Sequence, residues 1–288
     1  MSIHQLNFDG VTLLEMSIKR LQEFEPKEGY YLAFSGGKDS VVIKALADMA
    51  GVKYDAHYSL TTVDPPELVQ FIKEHHSDVE IDVPRDADGN RVTMWNLIPR
   101  KVMPPTRLVR YCCAELKERG GDGRLCITGV RWAESANRKN NQGVVTIYGG
   151  KDMKELREND SFMSTSKGGV VLTNDNVPDR EWLEWCYQRN KTVINPIIDW
   201  TDDEVWEFIK EFNVPYCKLY DQGHKRLGCI ACPMSGGSRM KKELERYPKY
   251  KNAYLRAFEK MIKVRKERGL DVVWQTGEDV MKWWIGEE

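Results

Sequence analysis

The sequence predicts an α/β fold, a doubly wound and mostly parallel sheet with a helical C-terminal appendage. Three observations predict it. Between residues 30 and 130, β-like segments alternate with helical ones, the pattern of a parallel sheet covered on both faces. The hexapeptide Ser35-Gly36-Gly37-Lys38-Asp39-Ser40 stands where an apolar run gives way to a helical one, the place where such sheets bind anions. Beyond Met234 the chain becomes charged and helical.

The elements follow in order. The apolar run 30–34 reads as a strand and 41–49 as the helix after the glycines. A strand is expected at 54–59, a helix at 65–76 started by Asp64, a strand at 79–83, a helix over 114–119 and a strand at 125–130. Thr201, with Glu204 three residues later, has the form of a capping box, which explains both residues without any chemistry. The stretch 139–179 is polar and glycine-rich, with short β-like runs at 144–148 and 170–173, and reads as an insertion or mobile lid. Helix is expected over 239–268, and the tryptophans at the end of the chain read as anchors to the core or to a partner, the core being the commoner case. The expected division is a nucleotide domain over 1–233 and a helical extension over 234–288.

Glycines that end a strand and open a helix make a phosphate cradle. Side chains at Gly36 and Gly37 would keep backbone N–H groups from an anion, and the helix N-terminus adds unpaired donors and partial positive charge. Lys38 adds a point charge, and Ser35 and Ser40 add hydroxyls. A Walker A loop is excluded, because Leu32 occupies its first glycine position and Asp39 follows the lysine. The structural alternative is an ordinary glycine-rich turn capped by Ser and Asp.

Composition narrows the class less. The chain has 288 residues, with 43 basic and 44 acidic ones for a net charge of -1, so no global basic field points to nucleic acid. No apolar run approaches the length of a membrane span and the N-terminal stretch lacks a signal-peptide pattern, so a cytoplasmic protein with no membrane partner is expected. In a reducing compartment, clustered cysteines read as metal ligands or reactive thiols rather than disulfides. Of the seven, Cys112 and Cys113 are adjacent, Cys229 and Cys232 form a Cys-x-x-Cys pair, and Cys217 lies just upstream of that pair. Cys126 and Cys186 sit in apolar and helical patterns and read as packing residues. Adjacent cysteines point in divergent directions and seldom share one zinc, but can reach different irons of one cluster. An iron–sulfur cluster therefore ranks above zinc, and above unmetallated buried thiols.

Arg107, Arg110, Arg131 and Arg138 are guanidinium forks near predicted strand ends, suited to phosphate or sulfate oxygens. Arg131 follows a strand directly and reads as functional; Arg107 and Arg138 read as solvated surface.

The hexapeptide resembles the pyrophosphate loop of the N-type ATP pyrophosphatases, or adenine-nucleotide alpha hydrolases, which cut ATP between the α- and β-phosphates; that resemblance implies their sheet. Five further stretches are similar to the sulfonucleotide reductases, the phosphoadenosine phosphosulfate (PAPS) reductase family. They are Arg110-Tyr111-Cys112-Cys113-Ala114-Glu115-Leu116-Lys117; the segment 128–135 with its Thr128-Gly129-Val130-Arg131; 195–206, with Pro196, Asp199 and Trp200 in the Pro-x-x-Asp-Trp signature; 213–223, with Asn213, Pro215 and Tyr216; and Gly228-Cys229-Ile230-Ala231-Cys232. For the adenylyl-sulfate reductases the resemblance implies a four-iron four-sulfur cluster on Cys112, Cys113, Cys229 and Cys232, with Cys217 a fifth candidate for four positions.

Two departures from those reductases matter. Their C-terminal Cys-Gly-Leu-His is not found here, since no cysteine follows Cys232, and the full Ser-Gly-Gly-Lys-Asp-Ser loop, which they have largely lost, is kept. Both favour ATP with Mg²⁺ as the nucleotide. The catalytic candidates are thus Lys38, Asp39 and Arg131, and the nucleotide-binding ones Ser35, Gly36, Gly37, Lys38, Asp39, Ser40, Gly129 and Arg131. The leading expectation is an ATP-using enzyme of sulfur transfer, similar to the sulfur-transfer proteins of DNA phosphorothioation. A second is thiol-dependent reduction of a phosphoadenylyl sulfate to sulfite, with Cys112, Cys113 or Cys217 as nucleophile. A third is a non-catalytic ATP-binding regulatory module. Expected partners are a sulfur donor protein or thioredoxin, a nucleic acid or DNA-binding protein, and further copies of the chain in a homo-oligomer.

Overall fold

The computed structural model describes residues 2–6, 10–148, 153–158, 161–172 and 180–287. Its strands are β1 (Tyr30–Ala33), β2 (Tyr54–Ser59), β3 (Glu80–Asp82), β4 (Cys126–Ile127), β5 (Val145–Ile147), β6 (Phe162–Ser164), β7 (Val170–Leu172) and β8 (Thr192–Ile194). They form one sheet in the order β3-β2-β1-β4-β8-β5-β7-β6. β1 lies parallel to β2 and to β4, and β4 parallel to β8. At β8 the direction changes, and β5, β7 and β6 continue antiparallel. The α/β class, parallel from β2 through β1 and β4 to β8, is therefore as the sequence predicts.

The helices among the described residues are α1 (Leu13–Glu23), α2 (Lys38–Ala50), α3 (Pro66–His75), α4 (Met94–Lys101), α5 (Tyr111–Leu116), α6 (Ala136–Asn141), α7 (Met153–Arg157), α8 (Arg180–Arg189), α9 (Asp202–Glu211), α10 (Gly237–Arg246), α11 (Pro248–Glu267) and α12 (Gly277–Ile285). None is long and apolar enough to cross a membrane. The described residues pack as two compact units. The first draws on Met1–Tyr58, Gln70–Glu80 and Gly120–Lys225, the second on Ser59–Val69, Ile81–Arg119 and Arg226–Glu288.

Several boundaries move from their expected places for local reasons. α2 opens at Lys38 rather than 41, because Gly37 is extended (φ -78, ψ 162) and caps the helix directly from the loop. α5 opens at Tyr111 rather than 114, so both adjacent cysteines lie on its first turn. Where the pattern over 139–179 suggested an insertion or lid, its described residues supply α6, α7 and the antiparallel edge β5, β6 and β7; 149–152, 159–160 and 173–179 lie outside the described residues. Asn195 joins that edge to the parallel half: its N–H donates to the Val144 carbonyl at 2.8 Å, its side-chain amide donates to the Gly143 carbonyl at 2.8 Å, and it accepts from the Thr128 hydroxyl. The Thr201–Glu204 capping box forms as predicted and starts α9.

The second unit is held by α4 with the three terminal helices around Leu97, Ile98, Phe258, Met261 and Trp284. Trp284 fills this core and donates its indole N–H to the Pro105 carbonyl at 2.6 Å. Trp283 remains 37% exposed, packed edge-on against Trp274.

In the first unit His76 is buried between Phe34 and Phe71, ring centroids 4.8 and 5.2 Å away, and its Nε2 has no hydrogen-bond partner among the described residues. Burial, helped by the Lys44 charge, pushes its pKa down from 6.5 to about 4. An unfolded chain takes up this proton at a higher pH than the folded one, so stability is complete above pH 6.5 and lost as pH falls through 4. Up to about 3 kcal/mol is at stake. Chemical denaturation between pH 7 and 4 is expected to show this fall, and His76→Phe to flatten it; an equally steep fall in the variant would remove His76 as its cause.

Candidate functional site

The loop Ser35 to Ser40 joins β1 to α2 in the first unit. Gly36 has φ +71, a left-handed conformation that a side chain resists. Gly37 carries no such demand, since a Cβ there would meet only Ser35 Oγ and the Tyr220 hydroxyl at an ordinary 3.4 Å. The loop is braced from within: Ser35 Oγ donates to Ser40 Oγ at 3.2 Å, Ser40 Oγ donates to the Gly37 carbonyl at 2.8 Å, and the Gly37 N–H donates to Ser35 Oγ at 3.4 Å. The Lys38 N–H donates to the Tyr220 hydroxyl at 2.8 Å. A hydroxyl thus stands where an anion would meet the helix N-terminus.

Two cations and two carboxylates meet here. Lys38, 6% exposed, lies 3.2 Å from both Asp39 and Asp202. Arg131, 1% exposed, donates from Nε to Asp39 at 2.7 Å, from Nη2 to Asp202 at 2.5 Å and from Nη1 to the Trp200 carbonyl at 3.1 Å. Burial opposes ionisation of Asp202, but the hydrogen bond from Arg131 and the charges of Lys38 and Arg131 outweigh it and hold the carboxyl below the usual range. The four charges cancel, so an arriving polyphosphate must draw Lys38 and Arg131 towards itself in exchange for these carboxylates.

Gly129, after β4, fits the loop by lacking a side chain: a Cβ there would lie 2.9 Å from Asp39 Cβ and 3.0 Å from the Asp39 carbonyl. Gly129→Ala is expected to cost about 1–3 kcal/mol and to displace Asp39. A thermal melt with a nucleotide titration checks this; unchanged values in both would show that the contact yields freely.

The second unit holds Cys112, Cys113, Cys229 and Cys232, and the Cys112 thiol feels the charge of the other three. Cys112 and Cys113 both lie on the first turn of α5. Interaction with Cys112 and with the Arg110 guanidinium, 3.4 Å from Cys113 Sγ, lowers the Cys113 pKa against burial, and interaction with Cys113 together with burial raises that of Cys112. Burial also raises Cys229, opposed by Lys117, while Lys117 is itself raised by the Cys229 and Asp64 charges. The Cys-x-x-Cys turn is clamped: the Ile230 N–H donates to the Val63 carbonyl at 2.8 Å, the Ala231 N–H to Glu243 at 2.8 Å, and the Tyr254 hydroxyl donates to the Ile230 carbonyl at 3.1 Å. Ala231 holds φ +55 there, an uncommon conformation for a residue with a Cβ. Cys217 is fully buried in the first unit. Of the remaining arginine candidates, Arg138 is half-buried and pairs with Glu134, and Arg107 is exposed.

Residues 29–235 match the family model of the phosphoadenosine phosphosulfate reductase domain. The chain belongs to the PAPS reductase family. An adenosine 5′-phosphosulfate reductase of Staphylococcus haemolyticus is 48% identical over 204 residues, covering 66% of this chain and 61% of the relative. An uncharacterized protein of Methanocaldococcus jannaschii is 24% identical over 271 residues, covering 92% of this chain and 56% of the relative. The chain thus spans less than two thirds of the length of either. Among solved structures, the phosphoadenylyl-sulfate reductase of Candida auris in complex with phosphate matches at 16% identity and a TM-score of 0.40, over 80% of this chain and 98% of that one.

For this PAPS reductase family member, three residues lie inside the quoted motifs but gain a role only from the fold. Tyr220 is recruited from 182 positions away. Asp202 looks in sequence like a first-turn carboxylate placed for the helix dipole. Lys117 ends the paired-cysteine motif, and only the fold sets it near Cys229 and Asp64.

Proposed function

We propose that this protein is an ATP-using member of its family, cleaving ATP between the α- and β-phosphates and passing the adenylated acceptor on to sulfur transfer. The observation that carries the reading is Lys38, buried at the start of α2 between two carboxylates and beside Arg131, on the full loop that resemblance ties to pyrophosphate. The β,γ-phosphates would lie on the loop N–H groups in place of the Tyr220 hydroxyl, with Mg²⁺ accompanying the nucleotide. An acceptor oxygen attacks the α-phosphorus, the bond from that phosphorus to the bridging oxygen breaks, and pyrophosphate leaves with the electron pair. Lys38 and Arg131 take up the charge that develops on it. A sulfur nucleophile from a donor protein then displaces AMP from the acceptor.

The cysteines suit an iron–sulfur centre. The second unit alone offers four thiols, the number a tetranuclear cluster requires, and the Cys112 thiol feels the other three, so Cys217 is not needed. Thiolates around such a core carry net negative charge, which Arg110 and Lys117 match. When bound, the cluster supplies a site for electron or sulfur exchange. The protein's part is to hold the thiols on α5 and on the clamped turn.

A second reading, reduction of a sulfonucleotide to sulfite, is favoured by the relative of Staphylococcus haemolyticus, named an adenosine 5′-phosphosulfate reductase. Anaerobic turnover separates the two readings. ATP with pyrophosphate detection is expected to give signal, and sulfonucleotide with thioredoxin to give no sulfite; the opposite pair of results assigns the reductase.

A further inference from the structure

Helix α1 precedes residue 29, where the family match begins. It nevertheless holds the residues that set the geometry of Lys38 and Arg131. Arg20, 5% exposed, forms a two-pronged pair with Asp199, Nη1 to Oδ1 and Nη2 to Oδ2 both at 3.0 Å, and Nη1 also donates to the Pro196 carbonyl at 3.0 Å. One turn earlier on the same helix face, Ser17 Oγ accepts the Trp200 indole N–H at 3.1 Å and donates to the Leu13 carbonyl at 2.9 Å. The Asp-Trp pair of the family signature is thus held through both its side chains from α1.

The next atoms along the chain are those that hold the cations. The Trp200 carbonyl accepts from Arg131 at 3.1 Å, and Asp202, the first residue of α9, holds Arg131 at 2.5 Å and Lys38 at 3.2 Å. Trp200 is fully buried against Phe208, so a shift of Asp199 passes to residue 202 with little slack.

We infer that Arg20 is a positioning residue of the nucleotide site, acting through Asp199 and Trp200 on Arg131 and Lys38; the claim rests on the ATP reading above. A guanidinium is needed, because only its planar fork holds both carboxylate oxygens and a carbonyl in one arrangement. A lysine would keep the charge and lose the register.

The test uses the full chain, with MgATP as the calorimetric probe and hydrogen exchange of the nucleotide-free protein as an independent readout. Arg20→Gln is expected to weaken MgATP binding about tenfold, and Arg20→Lys about threefold. The Trp200 amide, bonded to the Ile197 carbonyl, is expected to exchange about tenfold faster in Arg20→Gln than in the parent. The binding loss is expected to shrink below about threefold in an Arg131→Lys background, since Arg20 acts through Arg131. Lys19→Gln, on the exposed face of α1, is the control and is expected to change neither. Should Arg20→Gln fail to fold, Arg20→Lys carries both readouts in the same direction. Unchanged exchange at Trp200, or an equal binding loss in both backgrounds, overturns the inference. A parent protein that binds no MgATP counts instead against the ATP reading, and the exchange result still decides whether Arg20 holds Trp200.

Discussion

Lys38→Ala is expected to lower ATP-dependent pyrophosphate release about 100- to 1000-fold, the range seen when one preorganised donor is removed from a developing oxyanion. The ammonium is buried, and two carboxylates 3.2 Å away fix its position. The fold should survive. Removing the cation leaves Asp39 and Asp202 with Arg131 as their remaining cation, which costs about 1–3 kcal/mol, and a far-ultraviolet melt separates that cost from the kinetic one. Lys38→Arg is expected to restore part of the rate by returning the charge, though a fork replaces a point donor. Full turnover in Lys38→Ala would mean that the loop binds something other than the leaving pyrophosphate.

The second large effect concerns the cysteines. Cys112→Ser, Cys229→Ser and Cys232→Ser, prepared under argon, are each expected to lose most of the iron and acid-labile sulfide and the visible absorption that accompanies them. Cys217→Ser, altering a thiol of the other unit, is expected to keep all three at the level of the parent. Melting should follow the metal: a centre that binds the folded protein alone stabilises it, so the three ligand variants should melt well below the parent and Cys217→Ser close to it. Stoichiometric zinc with no sulfide in the parent would replace the iron–sulfur assignment with a structural zinc site.

Much of this was legible in the sequence, and the parts that were not share a physical cause. The loop is contiguous, so its glycines, lysine and serines announce a strand-to-helix anion site from composition alone. Thr201 and Glu204 are likewise local, and their capping box appears where the spacing sets it. The network behind the loop is not local. Tyr220, Asp202 and Arg20 become neighbours of the site only after the parallel strands and α9 pack, and no spacing rule ties residue 20 to residue 199. In the stretch 139–179 the β-like runs expected at 144–148 and 170–173 appear as β5 and β7, whereas β6, three residues long, is too short for period-two alternation to separate it from a polar loop.

The measurement that tests the central claim most directly is the product analysis of ATP labelled at the α-phosphate, incubated anaerobically with the cluster-loaded protein, Mg²⁺ and a sulfur donor. Cleavage at the α-phosphorus predicts labelled AMP, or label on an acceptor, with one pyrophosphate for each ATP consumed and none from Lys38→Ala. Labelled ADP with free phosphate, or intact ATP beside sulfite formed from a sulfonucleotide, would contradict it.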